Sequence, residues 1–258
     1  MREFITKHGV LIVAVLGLVQ PWLLAMWRKF FRKGKIDIFP SGPIEIGYST
    51  FGPTIGLNGT FRCINQALFV NSINLEVIKQ KDGSRHLFEW GIFRSQKLTH
   101  KGEEAEFELP YGFILSTSQP KRYNIVFFDT STRDEMQNII RKVKEEWEKL
   151  ISESQKGIFT TPEIISKKYY DEFFNSQVHV KAYTKLDRLC YWESGEYLIK
   201  LKVYTSKPNQ LFEKRWKFRI TEEQVNGIRL NVVKILQDIC MIPSYGSYNF
   251  AYPSYEKI

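Results

Sequence analysis

The pattern of apolar and polar positions changes period three times along the chain. Residues Gly9 to Trp27 are apolar with no charged side chain. As a helix, 19 residues rise roughly 28 Å, close to the thickness of a bilayer's hydrocarbon layer. The run therefore predicts a single N-terminal transmembrane helix, with Pro21 tolerated as a kink. Two other readings of the run are a cleaved signal peptide and a buried core helix. The first lacks a small-residue cleavage pattern. The second would need a run near the lower length limit for spanning.

From Ile44 the period becomes two. Ile44–Tyr48 alternates, Phe51–Gly56 reads as a turn cluster, and Gly59–Ile64, Leu68–Gln80, His86–Phe93, Glu104–Leu109, Phe113–Ser116 and Arg122–Phe128 read as strands. Lys81-Asp82-Gly83-Ser84 is a hairpin signal, because glycine accepts positive φ. Asn58-Gly59 is a turn signal too, and with Thr60 it has the form of a glycosylation acceptor. About seven strands in ~90 residues predict an antiparallel β-sandwich of immunoglobulin-like size over residues 36–130. No Cys…Trp…Cys spacing marks a true immunoglobulin domain.

The period then shifts to 3.6. Thr132-Arg-Asp-Glu135 has the form of a capping box, followed by Met136, Ile139, Ile140, Val143, Trp147, Leu150 and Ile151 on one helical face. The opposite face, with Arg141, Lys142, Lys144, Glu145, Glu146 and Lys149, reads as solvated. Thr161-Pro162-Glu163 resembles a second helix start running to about Phe174. Val178–Tyr183, Leu189–Trp192, Tyr197–Thr205 and Lys214–Ile220 read as four strands of an antiparallel sheet. Thr221-Glu-Glu-Gln224 is a further capping box opening a helix. The predicted organisation is an anchor over 1–35, a β-sandwich over 36–130, and an α+β portion over 131–258, the last two either distinct or one continuous unit, since both need antiparallel sheet. The fold class is mostly β with helices.

Charge sharpens this picture. The first 35 residues carry +6 of the chain's +9. Arg28, Lys29, Arg32 and Lys33 follow the apolar run at once, and with Trp27 they read as membrane-interface residues facing anionic headgroups. The positive-inside tendency places the following domain in the cytoplasm. The rest of the chain is close to neutral, so bulk charge gives no reason to expect nucleic acid as a partner. The expected partners are a lipid bilayer and a protein at its surface.

Three cysteines, Cys63, Cys190 and Cys240, are far apart and read as small core residues rather than a disulfide framework. His8, His86, His100 and His179 share no metal-ligand spacing, and no phosphate-cradling, dinucleotide or nucleophile-elbow motif is present. No catalytic residue, metal or cofactor is therefore expected. Arg215, Lys217 and Arg219 share one face of an alternating strand, which reads as a solvated sheet face or a small acidic-partner patch. The aromatic tail offers Tyr245, Tyr248, Tyr252 and Tyr255 either as packing against the sheet or as a partner-binding surface. The functional expectation is a single-pass membrane protein whose cytoplasmic β-rich domain is a binding or adaptor module. The alternatives are a membrane-surface enzyme and an envelope-side binding domain of inverted topology.

Overall fold

The computed structural model describes residues 17, 19–27, 33–99, 102–154, 172–206, 208–240 and 247–257. Alternating sequence becomes strand almost wherever it occurs. In chain order the strands are β1 (Lys35–Pro40), β2 (Glu45–Ser49), β3 (Gly52–Ile64), β4 (Leu68–Lys79), β5 (Arg85–Thr99), β6 (Gly102–Glu108), β7 (Phe113–Leu115) and β8 (Lys121–Asp129). Two long helices follow, α1 (Thr130–Ser154) and α2 (Gln177–Leu189). Then come β9 (Gly195–Ser206), β10 (Asn209–Ile220), α3 (Glu222–Arg229), α4 (Asn231–Ile239) and β11 (Tyr255–Lys257).

All eleven strands belong to one antiparallel sheet, whose main path is β1-β3-β8-β5-β4-β9-β10-β11. The sheet curls until β1 approaches β10. Its inner face carries alternate residues from every long strand. Ile55 and Phe61, Ile125 and Phe127, Leu75 and Val77, Leu201 and Val203, and Trp216 and Phe218 are all buried there. Period two sends these side chains inward and their neighbours outward, so curling encloses one apolar core.

This corrects the expected architecture. A β-sandwich followed by an α+β portion with a four-stranded sheet is replaced by a single curled sheet, because β9 pairs with β4 along Val70–Lys79. Of the four strands expected after the helices, only the last two exist. Val178–Tyr183 lies inside α2, and Leu189–Trp192 includes the end of α2 and no strand. Local β propensity there yields to helical spacing, since His179, Ala182, Leu186 and Leu189 are the buried residues. The second helix start at Thr161 lies outside the described residues.

The transmembrane expectation is corrected too. Among the described residues no helix is long and apolar enough to cross a membrane. The single-pass placement, the cytoplasmic adaptor, the membrane-surface enzyme and the envelope-side alternative all rested on that anchor, and they lose their basis with it. Trp27 lies exposed at the end of the helical stretch, and Lys33 is exposed while its carbonyl accepts a bond from Asn65 Nδ2 at 3.0 Å. Arg28, Lys29 and Arg32 lie outside the described residues.

Two glycines show why local signals read differently in place. Gly83 takes φ +71° in the β4–β5 hairpin, as the turn requires. Gly59 sits in mid-strand instead of a turn. A Cβ there would lie 2.3 Å from the Phe39 carbonyl oxygen and 2.4 Å from the Tyr123 hydroxyl. The residue is glycine because β1, β3 and Tyr123 approach so closely.

The helices cover one end of the sheet, and β2 joins the two layers. The Tyr48 hydroxyl donates to the Leu186 carbonyl at 2.8 Å, and Trp192 Nε1 donates to the Gly47 carbonyl at 3.1 Å. Buried Asn231 donates to the carbonyls of Tyr48 and Asn249 and accepts from the Asn249 amide. These bonds satisfy backbone groups that would otherwise be buried without partners.

Candidate functional site

Two features of the helical layer are the strongest candidates for a site. The first is a polar cluster where β8 runs into α1. Asp129 is fully buried there. Its Oδ1 accepts from the Ser131 amide at 2.9 Å and the Ser131 hydroxyl at 2.6 Å, and its Oδ2 accepts from the Tyr191 hydroxyl at 2.6 Å. A carboxylate at a helix N-terminus satisfies free amides and complements the helix dipole. Asp129 thus caps α1 itself, three residues before the expected capping box at Thr132.

His86 stacks on Tyr191 with ring centroids 3.7 Å apart, and its Nδ1 lies 3.8 Å from Asp129 Oδ2. Burial pushes the His86 pKa below its usual value, against the opposing pull of Asp129. Burial, reinforced by Asp129, pushes the Tyr191 hydroxyl well up. Histidine, carboxylate and phenol invite a catalytic reading. However, 3.8 Å is beyond a hydrogen bond, and both carboxylate oxygens are already engaged. The cluster locks α1 and the 190–193 segment to the sheet.

The second feature is a groove of about 260 Å³ between α1 and α2. It arises from the spacing of both helices. Ile139, Lys142, Val143 and Glu146 stand at i, i+3, i+4 and i+7 on α1, and Val178, Lys181, Ala182 and Lys185 do the same on α2. Residues at these intervals share one helix face. Ile139, Val143, Val178 and Ala182 make an apolar floor. Lys142, Glu145 and Glu146 rim one side, and Lys181 and Lys185 the other.

Each wall is held from behind. Met136 and Trp147 on α1 are buried, and Trp147 meets Phe173 edge-on at 5.5 Å. Ser176 caps α2 by accepting from the His179 amide at 3.2 Å. His179 is buried beside Phe173 and Phe174, and burial lowers its pKa. Arg188 on α2 donates to Glu135 on α1 at 2.9 Å.

Several cations of this layer are paired with acids. Arg141 binds Glu145, Lys144 faces Glu148, and Arg229 binds Asp187 through both carboxylate oxygens. Among the described residues, Lys142, Lys181 and Lys185 pair with no acid, and all three are exposed. Sequence reasoning placed Lys142 on a solvated face and read the Lys181 segment as strand. The signal available was the Ser176 cap followed by residues at helical spacing.

Of the tyrosines singled out in the tail, Tyr248, Tyr252 and Tyr255 lie among the described residues. Tyr248 is half-buried, its hydroxyl donating to Asp238 while Lys234 lies 5.4 Å from its ring centroid. Tyr255 lies in β11, 6.0 Å from the Trp216 ring, and Tyr252 is half exposed. The tail between them bridges to β2 through Ile46 and Ala251. Tyr245 lies outside the described residues. Arg215, Lys217 and Arg219 are exposed on the outer face of β10, Arg215 bonding to Glu213. The three cysteines are unpaired and buried, and burial pushes the Cys190 and Cys240 thiols up to about 12. Among the described residues no group of three or more His, Cys, Asp or Glu side chains is placed to hold a metal ion.

No protein-family model matches the chain, and no curated protein matches it by sequence. Among solved structures, it is similar to the crystal structure of Spo0M, a sporulation control protein from Bacillus subtilis. The match covers 80% of this chain and 56% of that one, at 9% identity and a TM-score of 0.26. The chain thus spans little more than half of that protein, and a likeness this distant carries no argument about function.

Proposed function

We propose that this protein is a non-catalytic binding domain that holds a segment of a protein partner in the groove between α1 and α2. The observation behind this reading is the groove itself, an apolar floor between two charged rims on two braced helices. Its volume is that of about two large apolar side chains, and side-chain anchors are how a segment is held in a groove between helices. It falls slightly below the ~300 Å³ typical of small-molecule sites, which favours side-chain anchors over an enclosed metabolite. In the His–Asp–Tyr cluster both Asp129 oxygens are engaged within the protein, and the cluster supplies a scaffold.

The test is selection of binders from a random peptide library on the purified protein, followed by hydrogen-exchange mapping of the enriched peptides. Protection over Ile139–Glu146 and Val178–Lys185 supports the reading. Enriched peptides that protect the tail or the outer sheet face, or no enrichment at all, refute it.

A further inference from the structure

We infer that the groove between α1 and α2 selects an amphipathic helix bearing acidic residues beside its apolar stripe. This rests on the binding role proposed above and names the chemistry of the partner. Shape comes first. Two packed helices leave a trough, and a third helix laid along it sets its own i, i+3, i+4 ridge into the floor formed by Val143, Val178 and Ala182. An extended strand would turn alternate side chains away and leave its backbone groups without sheet partners in the trough.

Charge then chooses among helices. On α1 and α2, Arg141, Lys144 and Arg188 are paired with acids. Lys142 on one rim and Lys181 with Lys185 on the other are not. Lys181 and Lys185 stand one helical turn apart, so they follow the axis of a docked helix. On the opposing rim Lys142 stands with Glu145, which Arg141 engages, and with Glu146, so the surplus of positive charge lies along α2. A partner helix with acids on the flank that faces α2 meets Lys181 and Lys185, while one with basic residues on that flank meets repulsion.

The experiment uses the full chain and two fluorescent synthetic peptides of about 15 residues, near the length at which isolated helices become marginal. Both carry the same leucine stripe; one has glutamate flanks and the other lysine flanks. In fluorescence anisotropy at low salt, the glutamate peptide should bind about fivefold more tightly, the worth of two exposed ion pairs. The preference should shrink in high salt. It should be lost or inverted in the K181E/K185E variant, whose substitutions lie on exposed positions and leave the floor intact.

Equal binding of the two peptides overturns the acidic preference while leaving the groove a binding site. A preference that survives in K181E/K185E places binding elsewhere. Failure of both peptides, or displacement by a simple alkyl carboxylate alone, overturns both the preference and the binding role. Sedimentation that shows the peptide-free protein pairing through these lysines overturns the inference in favour of a second copy of this chain.

Discussion

Replacing Asp129 by alanine tests how the groove is built. The carboxylate is fully buried and accepts from the Ser131 amide, the Ser131 hydroxyl and the Tyr191 hydroxyl. Losing the cap of α1 costs about 1 kcal/mol. Leaving the Tyr191 hydroxyl buried without its acceptor costs a further ~1–3 kcal/mol. The total expected for Asp129→Ala is about 3 kcal/mol, or about 6–12 °C in Tm for a domain of this size. Tyr191→Phe removes only the donor, so it should cost about 1 kcal/mol. The double variant should be less destabilised than the sum of the two, with a coupling of about 1 kcal/mol or more. Urea melts of the four proteins supply the cycle, and amide exchange along α1 reports whether its first turn frays. A cost below about 0.5 kcal/mol, the range of featureless surface positions, or no coupling, would refute the assignment of Asp129 as the pin between α1 and the sheet.

Gly59→Ala should destabilise by about 1–3 kcal/mol through overpacking against Phe39 and Tyr123, whereas Gly227→Ala, inside α3 with nothing near its Cβ position, should stabilise by about 0.5–1 kcal/mol; thermal melts of both variants check the opposite signs. Thr221→Ala removes a complete capping box, in which Thr221 accepts from the Gln224 amide and Gln224 from the Thr221 amide, and should cost about 1 kcal/mol in urea unfolding. His86 and His179 both have folded pKa values lowered by burial. The unfolded chain therefore binds protons first as pH falls below about 6.5, so stability drops from there and levels off below the folded values. Urea midpoints from pH 7.5 to 4.5 should show this fall, and His179→Phe should make it shallower.

Much of the sheet was legible because its strands are long and alternate. Lys214–Ile220, with Trp216, Phe218 and Ile220 inward, becomes part of β10, and the Thr221 capping box forms as written. Pairing was not legible. β4 and β9 lie far apart in sequence and join only when the sheet curls, so the chain reads as two portions where the structure has one sheet. Asn58-Gly59 has turn chemistry but sits in β3, because what requires glycine is the approach of Phe39 and Tyr123. Val178, Val180 and Tyr183 favour strand locally, while packing of Ala182 and Leu186 imposes helix. Missing α2 hid the groove, since its lysines had no facing wall. The apolar stretch ending at Trp27 has the composition of an anchor, whereas among the described residues no helix is long and apolar enough to cross a membrane.

The account turns on where a partner sits. Hydrogen exchange of the full chain, with and without the glutamate-flanked peptide, measures this directly. The account predicts slowed exchange confined to Ile139–Glu146 and Val178–Lys185, lost in K181E/K185E. Protection centred on β10, the aromatic tail or the helical stretch 19–27, with α1 and α2 unchanged, would contradict it.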